Sequence, residues 1–319
     1  MGFTRDHKIE KIERGASLTN GPALTAQRGS QASKAETRFA FGKNWQRFLT
    51  YLNDERIAEA EKSLRNMLEL ENLSGKSFLD IGCGSGLFSL AARRLGAKVL
   101  SIDYDPQSVD CALQLKNTFF PLNEDWQIER GSALDQSYLH KQGTFDVVYA
   151  WGVLHHTGAM WEALENMVPL VNNGGKLFVA IYNDQGKKSE IWRFVKRTYN
   201  RTPKSLRFLI LWPIGASILS GMTIVDLCRL RKPRIGSTFS SPRGMSLWID
   251  IVDWVGGYPF EVASPSQIID FYRRHAFCLD KLTSCGRKLG CNQFVFTKCQ
   301  EIAPRESVVK SGSRSQHQE

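Results

Sequence analysis

Two groups of residues in this chain have types and spacings that could do chemistry. The first is Asp80-Ile81-Gly82-Cys83-Gly84-Ser85-Gly86, an acid followed by three glycines at every second position, with a further acid, Asp103, some twenty residues on. Glycine has no Cβ, so its backbone takes positive φ, and a ligand can press against bare peptide N–H groups near the start of a following helix. The second is the pair His155-His156 within Trp151-Gly152-Val153-Leu154-His155-His156-Thr157. A neutral imidazole near physiological pH can take the proton from a hydroxyl. The alternative reading is structural, with the rings bonding loop backbone. Tyr182, Asn183 and Asp184 are further candidates for the proton acceptor.

These residues need elements to hold them. Residues 78–81 are an apolar run that breaks into the glycines, and Leu87-Phe88-Ser89-Leu90-Ala91-Ala92 then opens a helical pattern, so the segment reads as strand, glycine turn, helix. Further strands are expected at 98–103, 126–129, 145–150 and 174–181, separated by helix-sized segments, including one opened by Asp105-Pro106 and one over 161–168. Mostly apolar strands spaced in this way suit a parallel sheet covered on both faces. In such sheets ligands bind beyond the carboxyl ends of the strands, where Gly82–Gly86, Asp103 and the histidines all fall. A closing antiparallel pair is expected at 277–283 and 292–297, after a helix capped by Ser264-Pro265-Ser266-Gln267.

The glycine spacing excludes the dinucleotide fingerprint, which wants its third glycine at the position of Leu87. Acid-x-Gly-x-Gly-x-Gly at 80–86 instead resembles the loop of class I S-adenosylmethionine (SAM) methyltransferases. The segment around the histidine pair resembles the ubiquinone-biosynthesis O-methyltransferase group within the methyltransferase type 11/12 families. The resemblance covers 75–183 well and 262–299 moderately. It implies an α/β fold, a doubly wound, mostly parallel seven-stranded sheet, with SAM as cofactor. It further implies cofactor contacts at Asp80, Gly82, Cys83, Gly84, Gly86, Asp103, Tyr104, Ser132, Ala133, Leu134 and Trp151. In that reading Asp103 holds the ribose, and Leu134 and its neighbours sandwich the adenine. Ser132 departs from the pattern, since many relatives carry an acid there. His155 and His156 are the catalytic candidates, and no metal is expected.

A helical insertion follows the fifth strand. Segment 187–243 holds 13 basic residues against 2 acidic, whereas 51–186 holds 11 basic against 18 acidic. A basic helix is expected over 187–200. It is followed by 18 uncharged residues at 208–225, flanked by Lys204 and Arg207 before and Arg229, Arg231, Lys232 and Arg234 after. That length meets the lower limit for a membrane span. A span is rejected because strands on either side of it must pair in one sheet. Two readings stay open: buried helices capping the active site, or a basic-rimmed apolar surface resting on anionic lipid. The aromatics Phe39, Phe41, Trp45 and Phe48 either form an entry helix over the cleft or pack on the core. The dense aromatics of 245–260 either line a substrate pocket or pack internally.

The expected organisation is a disordered tail at 1–37, a helical cover at 38–73, a SAM-binding core at 74–186, the insertion at 187–260, a completing helix and strand pair at 261–300, and a disordered tail at 301–319. Residues 1–20 are charged throughout without an apolar core, unlike a signal peptide. The seven cysteines lack zinc-site spacing and are expected to be reduced thiols of a cytoplasmic protein, possible contact with a membrane's inner face being peripheral. The function read here is SAM-dependent methylation, at oxygen, of a small-molecule or lipid-like acceptor. The alternatives are an RNA (tRNA) methyltransferase that binds phosphates through its basic insertion, and a non-enzymatic SAM-sensing module.

Overall fold

The computed structural model describes residues 39, 41–228, 247–288 and 290–299. The tails expected at 1–37 and 301–319 lie outside these residues, as do the four basic residues that follow the uncharged run. Seven strands form one sheet: β1 (Ser77–Ile81), β2 (Lys98–Asp103), β3 (Trp126–Arg130), β4 (Phe145–Trp151), β5 (Val171–Tyr182), β6 (Phe277–Thr283) and β7 (Cys291–Lys298). Their order is β3-β2-β1-β4-β5-β7-β6. β7 pairs antiparallel with both β5 and β6, and the other pairings are parallel. β5 begins at Val171, ahead of the expected start, because Val171 pairs with Phe145 before an irregularity in the ladder.

Alternation along β1 shows why the sheet is buried on both faces. Phe78 joins one core cluster with Ile57, Leu64, Leu90 and Trp126, whereas Leu79 and Ile81 join the other with Leu164, Tyr272 and Phe296. On the first face lie α1 (Gly42–Leu49), α2 (Asp54–Leu68), α3 (Leu87–Arg94) and α4 (Pro106–Phe119). On the second lie α5 (Gln136–Lys141), α6 (Met160–Met167) and, after the insertion, α10 (Pro265–Arg274). Side-chain caps start several of these helices. Asn53 accepts from Arg56 N, Asp105 accepts from Gln107 N, and Ser264 with Gln267 forms a reciprocal capping box.

The insertion is helical: α7 (Lys187–Arg201), α8 (Phe208–Cys228) and α9 (Leu247–Gly256). Tyr199, Ile251 and Val255 form its small core, against which Ile210, Leu211, Ile214 and Ile218 of α8 pack. No helix among the described residues is long and apolar enough to cross a membrane. One expectation is corrected: Cys278 and Cys299 form a disulfide. The antiparallel register of β6 and β7 sets Cys278 opposite Thr297, two residues from Cys299. Spacing in the sequence does not show that proximity. Cys83, Cys111, Cys228, Cys285 and Cys291 are free thiols.

The chain runs β1-β2-β3 toward one edge and β4-β5 toward the other, so the order reverses between β1 and β4. The crevice at their carboxyl ends is the switch point of a doubly wound sheet. Gly86 fixes the geometry there as the residue that starts α3. Its φ is +80°, and a Cβ on it would lie 2.9 Å from Ala112 Cα in α4. Gly86→Ala is therefore expected to destabilise the fold by about 1–3 kcal/mol, read from urea denaturation.

Candidate active site

The glycine turn closes on β2. Gly82, Gly84 and Gly86 all have positive φ, at 72°, 56° and 80°. The amides of Gly82 and Cys83 donate to Ile102 O at 2.8 and 3.1 Å, and that of Gly86 to Cys83 O at 2.8 Å. The Gly84 amide donates to Asp103 Oδ2 at 2.9 Å. These four amides thus bond within the protein, where the sequence reading had the turn's N–H groups bare toward a ligand. The turn instead contributes shape and clearance. A Cβ at position 82 would lie 2.3 Å from Val153, and one at position 84 would lie 2.9 Å from the Trp45 ring.

Asp103 Oδ1 also accepts from Asp105 N at 2.8 Å. Burial pushes its carboxyl up to about 6, against the pull of those backbone donors. Asp80 lies behind the turn, not on the cavity wall. It ends a buried relay in which Trp126 Nε1 donates to Ser101 Oγ (2.9 Å), Ser101 to Ser89 Oγ (2.7 Å) and Ser89 to Asp80 Oδ2 (2.5 Å). Burial, with the charge of Asp103 adding, raises the Asp80 carboxyl to about 7, although the Ser89 bond opposes it.

A cavity of about 490 Å³ opens over this turn. Its wall includes Gly82, Gly84, Asp103, Tyr104, Ser132, Ala133 and Trp151 on the side of β1 to β4. Trp151 Nε1 donates to Gln293 Oε1 at 3.2 Å, and Ser132 Oγ accepts from Leu134 N at 3.2 Å. Cys83, Gly86 and Leu134 do not line the cavity. Cys83 is buried, its thiol pushed well up by that burial, Gly86 packs on α4, and Leu134 packs against the second core cluster.

The aromatic segment before α2 divides between the two roles left open for it. Phe48 is in the core, whereas Phe39, Phe41 and Trp45 line the cavity. α1 is fastened to the site by the Gly42 amide, which donates to Asp105 Oδ2 at 3.0 Å.

The two histidines differ in the bonds their rings make. His155 is completely buried, and its Nδ1 accepts from Tyr182 N at 3.4 Å, so its neutral ring carries the proton on Nε2. His156 Nδ1 lies 2.7 Å from Pro259 O. A carbonyl only accepts, so Nδ1 is the protonated nitrogen and Nε2 is the basic one. Both rings line the cavity, and that of His156 sits 5.0 Å from Phe41 and 5.4 Å from Tyr182. Of the other proton acceptors considered, Tyr182 lines the cavity. Asn183 bonds Gly286 O and Asn292, and Asp184 accepts from Gly186 N.

The insertion closes the far end with Ile218, Ile251 and Trp254. Behind that wall the completely buried Lys196 donates to Trp254 O, and its ammonium lies 4.3 Å from the Trp254 ring and 4.8 Å from that of Phe260. The aromatics of 245–260 thus split between packing and lining. In the sequence Val153 stands out only as part of the histidine segment and Asp105 only as a helix opener, and no site role attaches to Pro259 or Cys291, both of which depend on distant contacts. Among the described residues no group of three or more His, Cys, Asp or Glu is arranged to hold a metal ion.

Both raised carboxyls bind protons more tightly in the folded chain than at their ordinary value of 3.8. Stability is then greatest at low pH in this window and falls as pH rises from about 4 toward 7. Urea denaturation is expected to show the chain less stable at pH 8 than at pH 5 by a few kcal/mol. Asp80→Asn, which keeps an acceptor for Ser89 without the charge, should flatten that dependence.

Residues 79–177 match the methyltransferase domain family. The chain is similar to the mitochondrial ubiquinone biosynthesis O-methyltransferase of Schizosaccharomyces pombe, 29% identical over 182 residues, covering 54% of this chain and 64% of the relative. It is also 31% identical over 112 residues to ubiquinone biosynthesis O-methyltransferase of Xanthomonas oryzae, covering 35% of this chain and 45% of the relative. The chain therefore spans about half to two thirds of the length of these curated relatives. Among solved structures, magnesium protoporphyrin IX methyltransferase from Synechocystis with bound SAH aligns at 15% identity and a TM-score of 0.46, covering 80% of this chain and 93% of that one. The stretch that matches the methyltransferase domain family, residues 79–177, thus holds the glycine turn, Asp103 and the histidine pair, and runs from β1 into β5 of the sheet.

Proposed function

We propose that this chain transfers a methyl group from SAM to a hydroxyl oxygen of a small-molecule or lipid-like acceptor. One observation carries the reading. A single cavity presents the Asp103 carboxylate beside the glycine turn at one end and the His156 ring, its Nε2 the basic nitrogen, at the other. The residues present fit the cofactor. Gly82 and Gly84 bring bare backbone to the cavity wall, and the carboxylate at the end of β2 is placed to accept from ribose hydroxyls. When bound, SAM supplies an electrophilic methyl on a sulfonium. Gly82, Gly84, Asp103, Tyr104, Ser132, Ala133 and Trp151 would form its wall, with Asp80, Cys83, Gly86 and Leu134 holding that wall from behind.

In this reading His156 takes the acceptor's proton at Nε2 while Pro259 O holds its Nδ1–H and fixes the tautomer. His155, buried against Tyr182 at 3.9 Å between ring centres, positions its neighbour and the β5 end. Phe41, Trp45 and Trp254 exclude water and leave an apolar space for the acceptor. The names of the curated relatives favour oxygen and a small acceptor over RNA. The apolar side chains set among the basic residues of α7 favour it too, and they suit a lipid-like acceptor with peripheral contact at a bilayer.

Asp103→Ala and Gly84→Asp should abolish or greatly weaken SAM binding in calorimetry. Wild-type affinity should fall as pH drops below about 6, where Asp103 gains a proton and loses an acceptor site. With methyl-labelled SAM and a cell extract, label is expected in the solvent-extractable fraction. Label confined to acid-precipitable RNA or protein would refute the small-acceptor reading. His156→Ala should lower kcat on the order of 10²-fold and remove the low-pH limb of the rate profile, with SAM affinity unchanged. His155→Ala should chiefly lower stability.

A further inference from the structure

We infer that the outer face of α7 and α8 is a docking surface for an anionic lipid bilayer. α8 is apolar on two opposite sides. Its inner side packs on Tyr199, Ile251 and Val255, and its Ile218 reaches the cavity. Its outer side exposes Leu209 (59%), Trp212 (65%), Ile224 (60%) and Leu227 (67%), and α7 exposes Ile191 (62%) and Phe194 (71%). Positions 209, 212, 216, 220, 224 and 227 are all exposed and follow helical spacing along one stripe, which at 1.5 Å per residue runs roughly 27 Å. Scattered exposed apolar residues are ordinary, but Leu209, Trp212, Ile224 and Leu227 aligned on one side, with only the small Ala216 and Ser220 between them, mark an interaction surface.

Charge selects the partner. The exposed Lys187, Lys188, Arg193, Arg197, Arg201 and Lys204 lie on α7 and in the turn that leads into α8, with Glu190 the one acid on α7. A second copy of this face would bring like charges together. RNA would match the charge but leave the apolar stripe without a partner. An anionic bilayer meets both demands, with apolar side chains entering the headgroup and acyl boundary while the lysines and arginines stay at its surface. The helix cannot leave the fold to cross the bilayer, because its inner side is part of the insertion's core. Of this face's helices α8 also reaches the cavity, through Ile218 beside Ile251 and Trp254 of α9, so a bilayer-dissolved acceptor would meet the enzyme at that wall. This last point rests on the proposed function, whereas the docking itself does not.

The test is co-sedimentation of the full chain with vesicles of phosphatidylcholine alone and of phosphatidylcholine mixed equally with phosphatidylglycerol, in low and high salt. The wild type should pellet with the anionic vesicles at least tenfold better than with the neutral ones, and lose much of that in high salt. Leu209→Glu with Trp212→Glu, and separately Phe194→Glu, should each reduce pelleting by about tenfold or more, with calorimetric SAM affinity unchanged. Equal pelleting with both vesicle types, or variants that pellet like wild type, would overturn the inference. So would sedimentation velocity showing a wild-type dimer that the variants break, since the stripe would then belong to a second copy. Loss of SAM binding in the wild type would sink the proposed function and leave the docking result standing.

Discussion

The bond from the Gly84 amide to the Asp103 carboxylate ties the ends of two neighbouring strands together and sets the floor of the cavity. It requires a turn tight enough to aim one peptide N–H sideways at the next strand, and positive φ at three alternate glycines provides that turn. It also holds a charge where burial opposes charge, which is why the Asp103 carboxyl titrates near 6. A second carboxyl, Asp80, sits beneath the same turn and is raised further. The floor of the site is thus an electrostatically costly arrangement, held by the packing of the sheet around it. Such concentration of raised pKa values in a cleft is typical of functional sites.

The rest of the site is built outward from that floor by other elements. α1 lays Trp45 over Gly84 and is clasped by Asp105, the residue that also caps α4. One carboxylate therefore links the start of a helix, the entry segment and the turn after β2. At the opposite end the loop after β4 is pinned through backbone: Glu261 N to His155 O at 3.0 Å and Pro259 O to His156. The last residues of the insertion thereby set the tautomer of a residue some hundred positions earlier.

The insertion shows how one helix can serve two purposes. A helical run of 18 uncharged residues, as at 208–225, normally asks to be buried all round. α8 is buried only on the side that packs with α7 and α9, and its Ile218 shapes the cavity from there. The buried Lys196, set against Trp254 and Phe260, stiffens the same wall from behind. The aromatic density between β5 and α10 is thus part scaffold and part pocket.

Much was legible in the chain itself, because it depends on local rules. The glycine spacing, the acids at two strand ends, the apolar runs and the Ser264 capping box all follow from short-range backbone geometry and periodicity, and they fix most of the sheet. What stayed hidden depends on atoms brought together from distant positions. Two adjacent histidines are equivalent on paper. They become different only when Tyr182 N approaches one ring and Pro259 O the other. The turn's N–H groups look open in the sequence and are taken up by Ile102 and Asp103 once β2 lies alongside. Likewise the register of β6 against β7 makes a disulfide of two cysteines whose spacing is silent. Local pattern determines which residues gather at the carboxyl edge; the hydrogen bonds made there, which only the tertiary structure supplies, decide what each of them can do.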